Sequence, residues 1–565
     1  METDIELRSG ITDKLAENGY DLPAIRNLLT SYPLDQAAIR KVWQTQVARA
    51  EHRHELVVFK ILLSTLANLK ESLSPATKAL LSCYQGVYAA CISEFIGAEE
   101  HFREALRLTQ QEFYPELNAV ILVRYGQLLT NRSKYTEAEE VLVKALMHAK
   151  NSKVSHIIAS TYNHLARLNL LKSNLRQALD YYQEAHVQVV MSGSERDYFN
   201  EGKVLNGLGK IHFFRREWEK AKDYFEEALD VRTKIGDLVG QVETRTDMGI
   251  MSRYLGKYED ASLHFGCGLA IAEQINHRLL IAEIVGQQAK LNQINGDKNR
   301  AIHQLQKAVG IHREIKNKIG EANCLYNLAT VYDELKAHFL AQEFYDKALE
   351  LAKELDERTI LPKIYIGLAD LIISVWNNDT QQVERALELF REGILLMEQS
   401  SNKANLPSAL LKMAKAVSKY GGNSGQREAL GYYSRCLRLL EQRIEKGLAA
   451  LPANMERVQI YAGIADCYHK LGEFPEGFDY YFKAITLMES LPEGKMKALK
   501  PALIYTEAAK AAIDASAFME AFNWYERGLK QADNQIDTNE LKRLGILLAP
   551  YKNLRRKQTD KLKYG

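Results

Sequence analysis

The chain is predicted to fold as an all-α, right-handed α-solenoid of about eleven helix pairs with an amino-terminal helical cap. Three observations carry this reading. First, an alanine, an aromatic residue or Leu four positions on, and a small residue three further recur at Ala98/Phe102/Ala105, Ala138/Leu142/Ala145, Ala178/Tyr182/Ala185, Ala221/Phe225/Ala228, Ala261/Phe265/Gly268, Ala301/Leu305/Ala308 and Ala341/Tyr345/Ala348. The pattern continues less regularly at Ala386/Phe390/Gly393, Ala429/Tyr433/Cys436, Gly477/Tyr481/Ala484 and Ala521/Tyr525/Gly528. Second, the regular anchors stand 40 residues apart, apart from one step of 43 between Ala178 and Ala221. Self-similarity at one period marks a solenoid, whose units bury their apolar faces only by stacking on neighbours. Third, 11 prolines in 565 residues, with 26% charged and 46% hydrophobic residues, suit long amphipathic helices.

The stretch 203–231 gives the unit in full. Leu205, Leu208, Gly209 and His212 have the spacing of one helix, and Ala221, Phe225 and Ala228 that of a second facing it. Small side chains at Gly209, Ala221 and Ala228 let the two axes approach, and Leu208 and Phe225 fill the space on either side. The longer period, against about 34 residues in the standard helical pair, lengthens both helices.

In chain order, residues 1–74 lack the repeat but are helical by apolar spacing at 5–17, 22–29, 34–50 and 56–69. They are expected to cap the first repeat, since a solenoid needs its apolar end covered; a separate effector-binding module is the second reading. His52 and His54 have Val58 where a zinc-binding helix needs its second histidine, so they read as surface residues. The first repeat opens at Ser74-Pro75, with proline at a helix start. A regular array runs over 75–357, with turns such as Arg132-Ser133-Lys134, Leu255-Gly256-Lys257 and Asn295-Gly296-Asp297 inside pairs. Ile235-Gly236-Asp237 and Lys318-Ile319-Gly320 are expected as left-handed turns between pairs. An irregular array covers 358–537. Gly421-Gly422-Asn423-Ser424-Gly425 is expected between the helices of a pair, and Leu451-Pro452-Ala453-Asn454 and Leu491-Pro492-Glu493-Gly494 between pairs. The looser period near 357–400 reads as drift of the repeat, with a bend or sub-domain boundary as the alternative. Residues 538–565 supply a closing helix over 539–548 and a basic, solvated tail.

The net charge of +2 exerts no global pull on nucleic acid or on an acidic membrane. With no membrane-spanning run and no signal-peptide pattern at METDIELRSG, the expected location is the cytoplasm. Cys83, Cys91, Cys267, Cys324, Cys436 and Cys467 have no metal-ligand spacing and read as free thiols. Enzyme motifs are missing: Gly202 to Lys210 does not form a phosphate-wrapping loop, and the glycines at 421–425 lack the frame of a nucleophile elbow. The expectation is a non-enzymatic protein without cofactor or metal.

Recognition is what such an architecture favours, because first helices line a continuous concave groove. Cations stand there in five successive repeats at Arg124, Arg167, Lys210, Arg253 and Lys290, and Asn163, Asn206 and Asn327 add amides suited to an extended backbone. Asp333, Asp466 and Glu507 occupy the corresponding face further on. An acidic or phosphorylated segment is therefore expected in the amino-terminal half of the groove and a neutral or basic one in the carboxy-terminal half.

The quoted residues from about 75 to 530 resemble the tetratricopeptide-repeat family. The long period is similar to the 40-residue class found in spindle-orientation adaptors, kinesin light chains and bacterial peptide-sensing regulators. The resemblance implies an interaction scaffold or adaptor that holds peptides or partner domains in its groove. A peptide- or ligand-responsive switch acting through the amino-terminal helices is the alternative. The set of Lys and Asn positions by which relatives clamp chaperone tails is not reproduced.

Overall fold

In the computed structural model, residues 56–67, 73–110, 114–172, 174–190, 197–355, 359–375, 379–399, 403, 405–445, 451–531 and 542–549 are described. The helices expected over 5–50, His52, His54 and the basic tail lie outside them. Among the described residues the chain is helix and turn, without strands.

Helix α1 (Leu56–Ala67) precedes the repeats and packs on the first of them. Its Phe59 is fully buried, edge-on to Tyr84 and Tyr88. Seven helix pairs follow: α2/α3 (Pro75–Cys91, Phe95–Leu108), α4/α5 (Pro115–Asn131, Tyr135–Ser152), α6/α7 (Ser155–Leu171, Leu175–Val190), α8/α9 (Tyr198–Phe214, Trp218–Lys234), α10/α11 (Leu238–Tyr254, Tyr258–Gln274), α12/α13 (Arg278–Ile294, Lys298–Glu314) and α14/α15 (Lys318–Glu334, His338–Glu354). The eighth position is held by α16 (Leu361–Val375) and α17 (Thr380–Gln399), the latter burying Ala386, Phe390 and Gly393. Then come α18/α19 (Leu406–Tyr420, Gly422–Glu445), α20/α21 (Phe474–Glu489 being α21 and Leu451–Lys470 α20), a short α22 (Glu493–Ala498), α23/α24 (Pro501–Asp514, Phe518–Gln531) and a closing helix α25 over 542–549.

The small residues act where the period places them. Ala98, Ala138, Ala178, Ala221, Ala261, Ala301 and Ala341 have no exposed surface. A Cβ added to Gly126, Gly209 or Gly249 would lie 2.6 Å from Leu142, 2.7 Å from Phe225 and 2.6 Å from Phe265, so the large anchor residue of each second helix fills the space that a glycine on the first leaves open. From α3 to α14 each second helix then packs on the next first helix, and successive first helices touch one another. One buried cluster, of Tyr162, Ala166, Tyr182, Ala185, Val204, Leu208 and Ile211, joins the third repeat to the fourth in this way.

Turns use the left-handed conformation at one residue: Gly236, Gly256 and Gly296, but also Ser133, Arg216, Asn276, Lys316 and Lys336. Asp237, Asp297 and Asn317 then cap the following helix by accepting from the amides of Gly240, Arg300 and Gly320. The turn expected at 318–320 is thus shifted. Lys316 takes the positive φ of 57°, and Gly320 lies inside α14, where a Cβ would meet the His312 ring at 2.3 Å. The break at 421–425 is shorter than its composition suggests: Gly422 turns the chain at φ 58°, and Asn423, Ser424 and Gly425 already belong to α19. Leu451-Pro452-Ala453-Asn454 opens α20 instead of separating pairs, since proline is tolerated in a first turn.

The molecule forms two compact units, the described residues up to Ile364 and those from Tyr365 onward. The division falls where the period of the repeat loosens.

Within the first unit the superhelix comes back on itself. Leu355, after α15, and Ile319 of α14 pack into the buried cluster of the first repeat with Ala79, Cys83, Phe95 and Phe102. Arg132 Nη2 donates to the Leu355 carbonyl at 3.0 Å, the Lys318 amide donates to Ser93 Oγ at 3.2 Å, and the Ser133 and Thr359 hydroxyls lie 2.7 Å apart. In the second unit, Leu544 and Leu548 of α25 are buried among Ala508, Ala521 and Trp524 of the last repeat.

Candidate functional site

The candidate site is the inner face of the first unit, formed by the first helices α4, α6, α8, α10, α12 and α14. The eight residues expected there lie on these helices, in three different settings.

Lys210 and Asn206 of α8 converge on one residue of α10: the Lys210 ammonium and the Asn206 amide nitrogen each lie 2.8 Å from Asp247 Oδ2. Asn206 is buried, and its Oδ1 has no partner. Arg167 of α6 is exposed and donates to Asn131 Oδ1 at 3.2 Å. Arg253 of α10 is half-buried, and its Nη1 donates to Gln287 Oε1 at 3.0 Å and lies 3.4 Å from the Gln287 carbonyl. Lys290 of α12 stands one turn beyond Gln287 on the same helix. Arg124, Asn163 and Asn327 are half-buried on α4, α6 and α14. Structure therefore joins Asn206, Lys210 and Asp247, and brings Arg253 beside Lys290, while Asn163 and Asn327 take no part in these contacts.

The face carries more than those eight. Lys203, Glu243 and Glu283 stand at one position of three successive first helices, 40 residues apart, a periodic signal legible in the sequence once the repeats are aligned. Burial, followed by the nearby Glu243 charge, pushes the Glu283 carboxyl up to about 7, against the opposing pull of Arg167 and Lys210. The side chain itself is exposed to solvent. Burial lowers the Lys203 ammonium, with Arg124 and Arg232 adding to the effect and Glu243 opposing it. Burial also holds His164 well below the usual histidine value, reinforced by Arg167, Lys203 and Arg124. The inner face thus has a cationic region at Arg124, Arg167 and Lys203, with His164 among them held uncharged, and an acidic one at Glu243, Asp247 and Glu283. It is not basic throughout: Asp247 neutralises Lys210 directly.

Behind it, Arg232 of α9 is almost completely buried. Its Nη1 donates at 2.6 Å to the Gly240 carbonyl and at 2.6 Å to Thr244 Oγ1, and its Nη2 lies 3.3 Å from Glu243. This guanidinium ties the fourth repeat to the fifth and positions one of the acidic groups.

The acidic positions foreseen further along are occupied from nearby. Asp333 lies 3.5 Å from His338 in the first unit; in the second, Asp466 lies 3.3 Å from Lys470 and Glu507 2.9 Å from Lys510. All six cysteines are free thiols, and among the described residues no group of His, Cys, Asp and Glu is placed to hold a metal. No helix among the described residues is long and apolar enough to cross a membrane.

Two family models, both described as tetratricopeptide repeat, match residues 201–274 and 322–355. Those two stretches are tetratricopeptide repeats, and the described residues form a helical solenoid. No curated protein matches it. Among solved structures it is similar to aspartyl phosphate phosphatase F from Bacillus subtilis, with 14% identity and a TM-score of 0.41 over 66% of this chain and 94% of that one. It is similar to the quorum sensor NprR from B. thuringiensis, with 15% identity and a TM-score of 0.42 over 65% and 97%. A third is a signal-transduction ATPase with a tetratricopeptide-repeat sensor from Pyrococcus horikoshii, with 14% identity and a TM-score of 0.43 over 84% and 70%.

Proposed function

We propose that this chain is a non-enzymatic, cytoplasmic interaction scaffold that holds an extended polypeptide against the inner face of its first unit. The observation that carries the reading is the lining of that face. Consecutive first helices carry charged and amide groups, and the buried Asn206 carbonyl oxygen lacks a partner. A buried acceptor without a donor costs about 1–3 kcal/mol, and a bound backbone amide would supply the donor. The partner's acidic or phosphorylated stretch lies against Arg124, Arg167 and Lys203, and a basic residue follows at Glu243 and Glu283. Lys210 is left out of this region because Asp247 already pairs with it.

Capture of partners from the native host with the wild type and with an Arg124→Glu/Arg167→Glu variant, followed by cross-linking and mass spectrometry, tests this. The variant should keep its helical circular dichroism and lose the partner. Undiminished capture at low salt, or cross-links confined to the second helices, would refute the groove.

A second reading, a switch that changes superhelical pitch when occupied, is favoured by the contacts of the first two repeats with the seventh and the residues just after it. Any change of pitch must break or tighten them. Small-angle scattering with and without the captured partner separates the two, because a passive scaffold keeps its dimensions.

A further inference from the structure

We propose that Tyr182, on the second helix α7, is a ligand-contacting residue of the inner face, delivered there through the gap at Gly207, and that with Asn206 it takes an amide group. The proposal rests on the groove reading and gives one station of the groove a ligand chemistry.

The register of the repeats makes the first point. Fourteen residues before the anchor alanine, first helices carry a polar side chain from the second repeat to the seventh, at Arg124, His164, Asp247, Gln287 and Asn327, except in the fourth, where the residue is Gly207. The preceding second helix fills what that glycine leaves empty. A Cβ at Gly207 would lie 2.7 Å from the Tyr182 hydroxyl oxygen and closer still to Cζ, so the phenol end of the ring occupies the place of the missing side chain. The same construction recurs within the second unit: Gly463 stands at this position of the tenth repeat, and a Cβ there would collide with Cζ and the hydroxyl oxygen of Tyr433. After Phe102, Leu142, Phe225, Phe265 and Leu305, which have no hydroxyl, the next first helix supplies the polar group itself.

Packing alone does not require the hydroxyl. Tyr182 is 3% exposed and its hydroxyl makes no hydrogen bond among the described residues, whereas those of Tyr481 and Tyr505 donate to Asp466 and Glu489. A phenylalanine, as at Phe225 one repeat on, would fill the same space without a polar atom. Asn206, the residue before Gly207, is 5% exposed; its Nδ2 donates to Asp247 and its Oδ1 has no partner. Buried polar groups are matched as a rule, and here two unmatched ones meet at neighbouring positions of α8. A hydroxyl can donate to a carbonyl oxygen, and an amide oxygen accepts from an N–H. An amide group in a ligand answers both. Burial, helped by Asp247 and opposed by Arg167, raises the Tyr182 phenol, so it keeps the proton it would donate.

Binding of fluorescent, N-acetylated and C-amidated hexapeptides from a positional-scanning library to the full chain provides the test. Wild type should bind at least one pool saturably. Tyr182→Phe removes a hydroxyl that holds nothing in the free protein, so it should keep the wild-type Tm and bind the peptide selected from that pool about fivefold more weakly. Tyr181→Phe, which alters the neighbouring phenol packed beside Tyr162, should bind as wild type does. Undiminished binding by Tyr182→Phe, or a lowered Tm that makes the hydroxyl structural, would overturn the assignment and leave the groove standing. Failure of every pool to bind wild type would overturn the groove reading and Tyr182 with it. Replacing each Asn or Gln of the selected peptide by Ala then locates the amide: a Tyr182→Phe penalty that vanishes identifies a side-chain carboxamide, and one that persists a backbone peptide group.

Discussion

At Gly209 two residue-scale effects oppose each other. Replacing it by alanine would gain about 1 kcal/mol of helix propensity, but the new Cβ would lie 2.7 Å from the Phe225 ring. Overpacking of a filled core costs about 1–3 kcal/mol, so Gly209→Ala should lower the urea midpoint despite being the better helix former. Glu283 gives a pH signature. Its folded-state value, about 7, lies above the ordinary 4.5, so the protonated carboxyl is favoured by folding. That contribution is complete at and below about pH 4.5 and is lost as pH rises through about 7. Glu283→Gln should therefore match wild type in Tm at pH 4.5 and exceed it at pH 8. Equal Tm values at both pH values would show that the carboxyl titrates normally.

At the scale of elements, a solenoid is as stable as its ends are covered. Helix α25 places Leu544 and Leu548 in the core of the last repeat, and a Cβ at Gly545 would lie 2.4 Å from the Tyr525 hydroxyl, so the cap sits directly against α24. Ending the chain at Gln531 should expose Trp524, Phe522 and their neighbours. The expected outcome is a lower-temperature transition in calorimetry and increased binding of a hydrophobic dye. The helices themselves follow the periodic alanines closely. The three glycine- and proline-rich breaks of the second half are less direct, because Gly422 and Pro452 act at helix starts as readily as in loops. Composition marks an interruption there without saying on which side of it the helix lies.

At the scale of the whole molecule, the first unit is held closed by few polar contacts and one apolar seam. Arg132 is central to them: besides the Leu355 carbonyl it meets Glu99 at 3.6 Å and lies 4.8 Å from the centre of the Phe95 ring. Arg132→Ala should raise the radius of gyration of the protein in small-angle scattering. Lys134→Ala, which removes the 2.9 Å pair with the same Glu99 but no contact to the seventh repeat, should not.

The sequence by itself determined the helix pairs, their order and the matching of small to large side chains, because these depend on contacts within a repeat or to the next one. It also placed Arg124, Arg167, Lys210, Arg253 and Lys290 on first helices. Only tertiary structure decided that Asp247 neutralises Lys210, that Gln287 fixes the Arg253 guanidinium, and that the first repeat meets the seventh. Those meetings depend on a small rotation added at every step of the stack, and no local pattern of residues records the sum.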